Sequence, residues 1–111
     1  MEEKQIEGAS NYWVRPDGTI YNSKTGNVIL GARHGNGYLT VYLRMDTGQR
    51  KKFYMHRLVA IAFVPNPHNY PFIDHLDHTR DNNVATNLEW VTNAENVQRG
   101  YNFFNYKRKT V

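Results

Sequence analysis

The chain has 111 residues, no cysteine, 40% hydrophobic and 14% aromatic content, and a formal net charge of +4. This composition supports one compact domain with a modest core. It excludes a disordered polar chain, a disulfide framework, a Cys-ligated zinc site and a thiol nucleophile. The longest apolar run, Leu58–Val64, falls short of the roughly 18–20 residues of a membrane span. The acidic start Met1-Glu2-Glu3-Lys4 lacks the pattern of a secretion signal, so a cytoplasmic chain with no membrane partner is expected.

The charge is unevenly placed. Residues 1–8 sum to −2, residues 9–63 to +6, residues 64–98 to −4 and residues 99–111 to +4. Basic blocks suit a polyanion partner through phosphate neutralisation. The acidic centre would repel the same partner unless a bound divalent cation offsets it.

Turn signals recur in the first half: Arg15-Pro16-Asp17-Gly18, Lys24-Thr25-Gly26-Asn27, Gly35-Asn36-Gly37 and Met45-Asp46-Thr47-Gly48. Aromatic and β-branched residues fill the gaps, which predicts an antiparallel β-meander over residues 12–55. A three-residue loop at Asp46-Thr47-Gly48 pairs Arg44 with Arg50, Tyr42 with Lys52 and Thr40 with Tyr54. One face is then Leu39, Val41, Leu43, Phe53 and Met55, and the other is Tyr38, Thr40, Tyr42, Arg44, Arg50, Lys52 and Tyr54. A one-residue slip would drive lysine and arginine into the apolar face, so the pattern selects this register. The same logic at Pro16-Asp17-Gly18 pairs Val14 with Ile20 and Trp13 with Tyr21. The basic, aromatic face suits a nucleic-acid groove or backbone, although the same residues also make an ordinary solvated sheet face.

Met55, Leu58, Val59, Ala62 and Phe63 then fall at helical spacing, and Pro65 ends the segment. His56, in the first turn, reads as a structural, hydrogen-bonding histidine. Phe72-Ile73-Asp74-His75 reads as a short strand, residues 76–86 as a polar loop, and Leu88–Thr92 as a second strand. Thr92-Asn93-Ala94-Glu95 fits a capping box that opens a short helix ending near Arg99 and Gly100.

Asp74, His75 and Asn96 could converge if that helix packs across the hairpin. A carboxylate and an amide oxygen are hard ligands suited to Mg²⁺ or Mn²⁺. A histidine beside them could take a proton from water, which assembles the parts for metal-assisted phosphodiester hydrolysis. Neighbouring strand residues point to opposite faces, so Asp74 and His75 can both serve only if the strand ends or bends there. His75 and His78 also form a His-x-x-His pair, but no cysteine or other evident ligand set completes a zinc site.

The run Asp74-His75-Leu76-Asp77, then Asn82-Asn83, then Asn87-Leu88-Glu89-Trp90-Val91-Thr92, then Asn96 resembles the HNH endonucleases. It is most similar to the phage-type, intron-encoded or free-standing homing branch. His56-Arg57-Leu58-Val59-Ala60 and Phe63 resemble the segment that precedes that motif. The resemblance spans roughly residues 10–100 and implies an α+β fold. An N-terminal antiparallel β-meander and short helix over 9–64 would dock on DNA. A ββα-metal (HNH) nuclease module would follow over 65–100, and a basic tail over 101–111. It implies His75 as general base, Asp74 and Asn96 as ligands of one Mg²⁺ or Mn²⁺ ion, and Asn87, grouped with the catalytic set, as a brace of the loop. Asn83 resembles a further brace, and His78 stands where the family often has a small turn residue. Expected contacts to double-stranded DNA are Tyr42, Arg44, Arg50, Lys52, Arg80 and Arg99. The implied activity is a DNA endonuclease that nicks one strand per monomer, with a double-strand break needing two protomers, hence a homodimer, or two events. If phage-encoded, it would act in the host cytoplasm. The other readings are a non-catalytic DNA-binding regulator on the same scaffold and an RNA-binding intron splicing factor.

Overall fold

The computed structural model describes residues 2–33 and 35–96. The elements are β1 (Lys4–Ile6), β2 (Ala9–Val14), β3 (Ile20–Asn22), β4 (Ala32–Arg33), β5 (Leu39–Arg44), β6 (Arg50–Tyr54), α1 (Met55–Phe63), β7 (Phe72–His75), a 3₁₀ turn (Ala85–Asn87) and β8 (Leu88–Val91). A final helical turn runs over residues 93–96. The fold class is α+β, as the sequence implies. Arg99, Gly100 and the basic tail lie outside the described residues.

The expected single meander is divided. β1-β2-β3 form one antiparallel sheet and β4-β5-β6 a second, while β7 and β8 make a separate hairpin. The break falls between β3 and β4, where Gly26 turns back on Asn22 at positive φ (76°) and only the isolated bridge Tyr21–Val28 extends the pairing. The first sheet also begins earlier than the pattern suggests. Lys4–Ile6 pairs with β2 across a bulge at Gln5 and Ile6. A three-residue strand with two exposed polar side chains carries too little periodicity to be seen in sequence.

Both registers read from the turns are present. Val14 faces Ile20 and Trp13 faces Tyr21, while Arg44 faces Arg50, Tyr42 faces Lys52 and Thr40 faces Tyr54. Val41, Leu43 and Met55 are buried, and Leu39 and Phe53 pack against the core. Thr40 departs from its expected polar, solvated face: it is buried.

Helix α1 is the hub. It contacts β1 and β2 of the first sheet, β5 and β6 of the second, and both strands of the β7–β8 hairpin. Its buried residues Met55, Leu58, Val59 and Ala60 join Ile6, Val14, Ile20, Val41, Leu43, Ile73 and Leu88 in one core. Val64 leaves the helix in extended conformation, its N–H bonded to the Ala60 carbonyl, and the next residue is Pro65. The two sheets are tied at one turn. Asp46 accepts from the Ser10 N–H (2.9 Å) and hydroxyl (2.7 Å), and its own N–H donates to the Gly8 carbonyl. These bonds hold the Asp46 carboxyl below the usual carboxylate range.

Candidate active site

The β7–β8 hairpin pairs Phe72 with Val91, Ile73 with Trp90, Asp74 with Glu89 and His75 with Leu88. Ile73, His75 and Leu88 are buried, and the Trp90 indole N–H donates to the Val64 carbonyl at 3.1 Å. This face looks toward α1. Asp74 and Glu89 sit on the other face, so the strand turns Asp74 and His75 in opposite directions. His75 is the last residue of β7, at the point where the strand gives way to the loop.

The loop between the strands is built on Asp77. Its carboxylate accepts from the Thr79 N–H (2.8 Å), the Asn82 amide (2.8 Å) and the Asn87 amide (2.9 Å). Hydrogen bonds from Asn82, Thr79 and Asn87 hold its pKa at about 2 although the group faces solvent. Asn87 closes the frame. Its side-chain oxygen accepts from the Asp77 N–H, its amide also donates to the Asn82 carbonyl, and its backbone carbonyl accepts from the Leu76 N–H. Asn87 therefore braces the loop, as the resemblance implies. Its described hydrogen bonds all go to the loop itself. His78 adopts a left-handed φ of 60°, which explains why a small residue suits that position.

His75 is held by a residue the sequence assigned only to the loop. Its Nε2 lies 2.9 Å from the Asn83 side-chain oxygen, and both residues are buried. The carboxamide oxygen faces the ring, an arrangement that an Nε2–H tautomer satisfies. Asn83 is positioned in turn by the first sheet. A Cβ added at Gly18 (φ 92°) would lie 3.0 Å from the Asn83 carbonyl oxygen, and the Ala85 N–H donates to the Pro16 carbonyl at 2.7 Å. No spacing rule links positions 75 and 83, so this bond was not readable beforehand.

The other side of His75 is aromatic. The His56 ring stands edge-on to it with centroids 5.2 Å apart, and Tyr38 lies at 5.9 Å. His56 is itself flanked by Tyr38 (5.0 Å) and Tyr54 (5.4 Å). Burial, and then His75 and Arg57, push the His56 imidazole down to about 4, so it is neutral near pH 7. Its Nδ1 is buried and has no hydrogen-bond partner among the described residues.

The expected ligands Asp74 and Asn96 are both half-buried. Asn96 lies in the helical turn after β8, where its N–H donates to the Thr92 carbonyl at 3.0 Å. The capping box is present: the Glu95 N–H donates to the Thr92 hydroxyl at 3.1 Å, and that hydroxyl lies 3.3 Å from the Glu95 carboxylate. Asp74 and Asn96 offer hard oxygen donors, a set that fits Mg²⁺ or Mn²⁺ and leaves places for water and phosphate oxygens. Among the described residues, no group of three or more His, Cys, Asp or Glu side chains is gathered as a cation site.

The expected DNA contacts divide into two kinds. Tyr42, Arg44, Arg50 and Lys52 share the exposed face of the second sheet, with the Arg50 guanidinium over the Tyr42 ring at 4.7 Å. Arg80 is already engaged. It donates to the Asn36 carbonyl at 2.6 Å and covers the Tyr38 ring at 4.9 Å, while Arg33 pairs with Asp81 alongside. Arg80 thus fastens the loop to the second sheet.

This hairpin, braced loop and closing helical turn, seated on a helix, define an HNH endonuclease domain. Residues 53–98 match the family model described as HNH endonuclease. The match takes in α1, which the sequence reading placed with the docking half. Among particular relatives, the chain is 38% identical over 99 residues to DNA endonuclease I-HmuI of Bacillus phage SP01, covering 88% of this chain and 56% of that protein. It is 40% identical over 102 residues to an uncharacterized HNH endonuclease of Acanthamoeba polyphaga mimivirus, covering 87% of this chain and 25% of that one. The solved structure of the HNH homing endonuclease I-HmuI, described for DNA binding and cleavage, superposes with a TM-score of 0.81 at 35% identity. That superposition covers 100% of this chain and 61% of the other. The chain thus spans between a quarter and just over half the length of the curated relatives it matches.

Proposed function

We propose that the chain is a divalent-metal-dependent DNA endonuclease of the HNH homing type, hydrolysing phosphodiester bonds and nicking one strand per monomer. The observation that carries this reading is the buried His75–Asn83 contact inside an HNH domain. With the Asn83 oxygen accepting a hydrogen bond from Nε2–H, the Nδ1 lone pair of His75 would accept a proton from an attacking water. The water oxygen then bonds to phosphorus as the bond to the leaving sugar oxygen breaks, and His75 holds the transferred proton. Asp74 and Asn96 would hold one Mg²⁺ or Mn²⁺ ion, which when bound neutralises charge on the scissile phosphate and leaving oxygen. The face carrying Tyr42, Arg44, Arg50 and Lys52 would meet the backbone of double-stranded DNA. One base per chain supports cutting one strand, and a homodimer would cut both.

Supercoiled plasmid tests the reading in one gel. Wild type with Mg²⁺ or Mn²⁺ is expected to give open circles, and chelation should abolish them. His75→Ala should lose about 10²–10⁴-fold in rate. Equal nicking by both proteins would remove His75 as the base. Retained DNA binding without cleavage in either metal would instead identify a DNA-binding regulator on a nuclease scaffold.

A further inference from the structure

Two buried side-chain atoms lack a hydrogen-bond partner among the described residues: His56 Nδ1 and Asn83 Nδ2. Both belong to residues that touch the His75 ring. A buried polar atom left unpaired costs stability, and an apolar side chain at position 56 would avoid that cost. The Asn83 bond anchors one edge of the His75 ring, but a single hydrogen bond does not by itself set the ring plane. What limits rotation of the ring is the wall beside it. His56 supplies it, wedged between Tyr38 at 5.0 Å and Tyr54 at 5.4 Å and meeting His75 edge-on at 5.2 Å and 65°. Its position is set from outside the hairpin, since it sits in the first turn of α1 and is buried.

We propose that His56 is a positioning residue for His75: packed against its ring, it holds the imidazole plane in which Nδ1 faces the reacting water. This rests on the assignment of His75 as base. Neutrality suits the role, because the burial that depresses protonation of His56 keeps a second positive charge away from the base.

The test combines nicking kinetics with nitrogen-15 NMR of the imidazoles, on the full chain. In His56→Ala the turnover rate should fall at least about tenfold with KM for DNA unchanged, as expected when a catalytic group is misplaced rather than removed. The His75 ring signals, those of an Nε2–H tautomer in wild type, should broaden or average. Should the alanine variant not fold, His56→Phe carries the test. It keeps a ring and removes both nitrogens, and should nick within about threefold of wild type with the His75 signature intact, because only the packing contact is invoked. A folded alanine variant with wild-type turnover and wild-type His75 signals would overturn the proposal. So would a folded phenylalanine variant in which those signals are lost. If wild type cleaves with neither metal while the alanine variant still releases the His75 ring, the positioning stands and the nuclease reading falls.

Discussion

At the scale of single residues, the hairpin loop rests on charge placed where it can be satisfied. Asp77 gathers donors from Thr79, Asn82 and Asn87, and these hold its pKa at about 2, below the usual 3.8. His56 is shifted from 6.5 to about 4 by burial. Both shifts make stability fall with acid, in separate windows. For His56 the unfolded chain binds the proton first, so stability is full above pH 6.5 and declines toward pH 4. For Asp77 the contribution is full above pH 3.8 and is lost as pH falls toward 2. Each step is bounded by about tenfold in the folded-to-unfolded ratio per pH unit. Denaturant melts across pH should show His56→Phe flattening the upper window and Asp77→Asn the lower. A curve unchanged in either variant would contradict the corresponding environment.

This scale is also where the sequence was least legible. Asp74, His75, Asn87 and Asn96 stand out because they fall in a recognisable multi-part motif. Asn83 and His56 fall in the same resemblance, but their meeting with His75 was not legible, because it depends on a loop's path and on a helix arriving from another part of the chain. Asp77 carried a weak signal: an Asp two residues before a Thr suits an Asx turn, and its carboxylate does accept the Thr79 N–H.

At the scale of elements, legibility follows how strongly a pattern penalises its alternatives. The β5–β6 register was readable because a slip buries lysine and arginine, and α1 because its apolar spacing and Pro65 mark both extent and end. The division into two sheets was not readable. Turn signals mark where strands end, but not which strands pair across residues 23–31. The contact between the 15–19 turn and the hairpin loop was hidden for the same reason. It makes Gly18 a test of how elements cooperate. Gly18→Ala places a Cβ 3.0 Å from the Asn83 carbonyl oxygen at a φ of 92°. It should cost about 1–3 kcal/mol in stability. At temperatures well below melting it should also lower the nicking rate, because Asn83 must shift and it holds His75. Full activity in a destabilised Gly18→Ala protein would show that the loop absorbs the push without moving the base.

At the scale of the whole molecule, the modest +4 is a sum of opposed regions. The +6 of residues 9–63 includes the exposed face of Tyr42, Arg44, Arg50 and Lys52, and the −4 of residues 64–98 includes Asp74 and Glu89 paired across the hairpin. If the sheet face neutralises phosphates, the logarithm of DNA affinity should fall linearly with the logarithm of salt concentration. Removing Arg50 should reduce that slope by about 0.9, the value for one phosphate contact. Titrations of Arg50→Ala and wild type over a range of KCl would measure it, and an unchanged slope would take Arg50 off the backbone.

The 2.7 Å bond from the Ala85 N–H to the Pro16 carbonyl bears on how such domains can be exchanged. Shuffling among relatives is easiest when the traded pieces share no working parts. Here the 15–19 turn, which belongs to the first sheet, is bonded to the loop that carries Asn83, the residue in contact with His75. A hairpin transplanted onto a foreign sheet would keep its motif intact and yet arrive with its histidine unsupported.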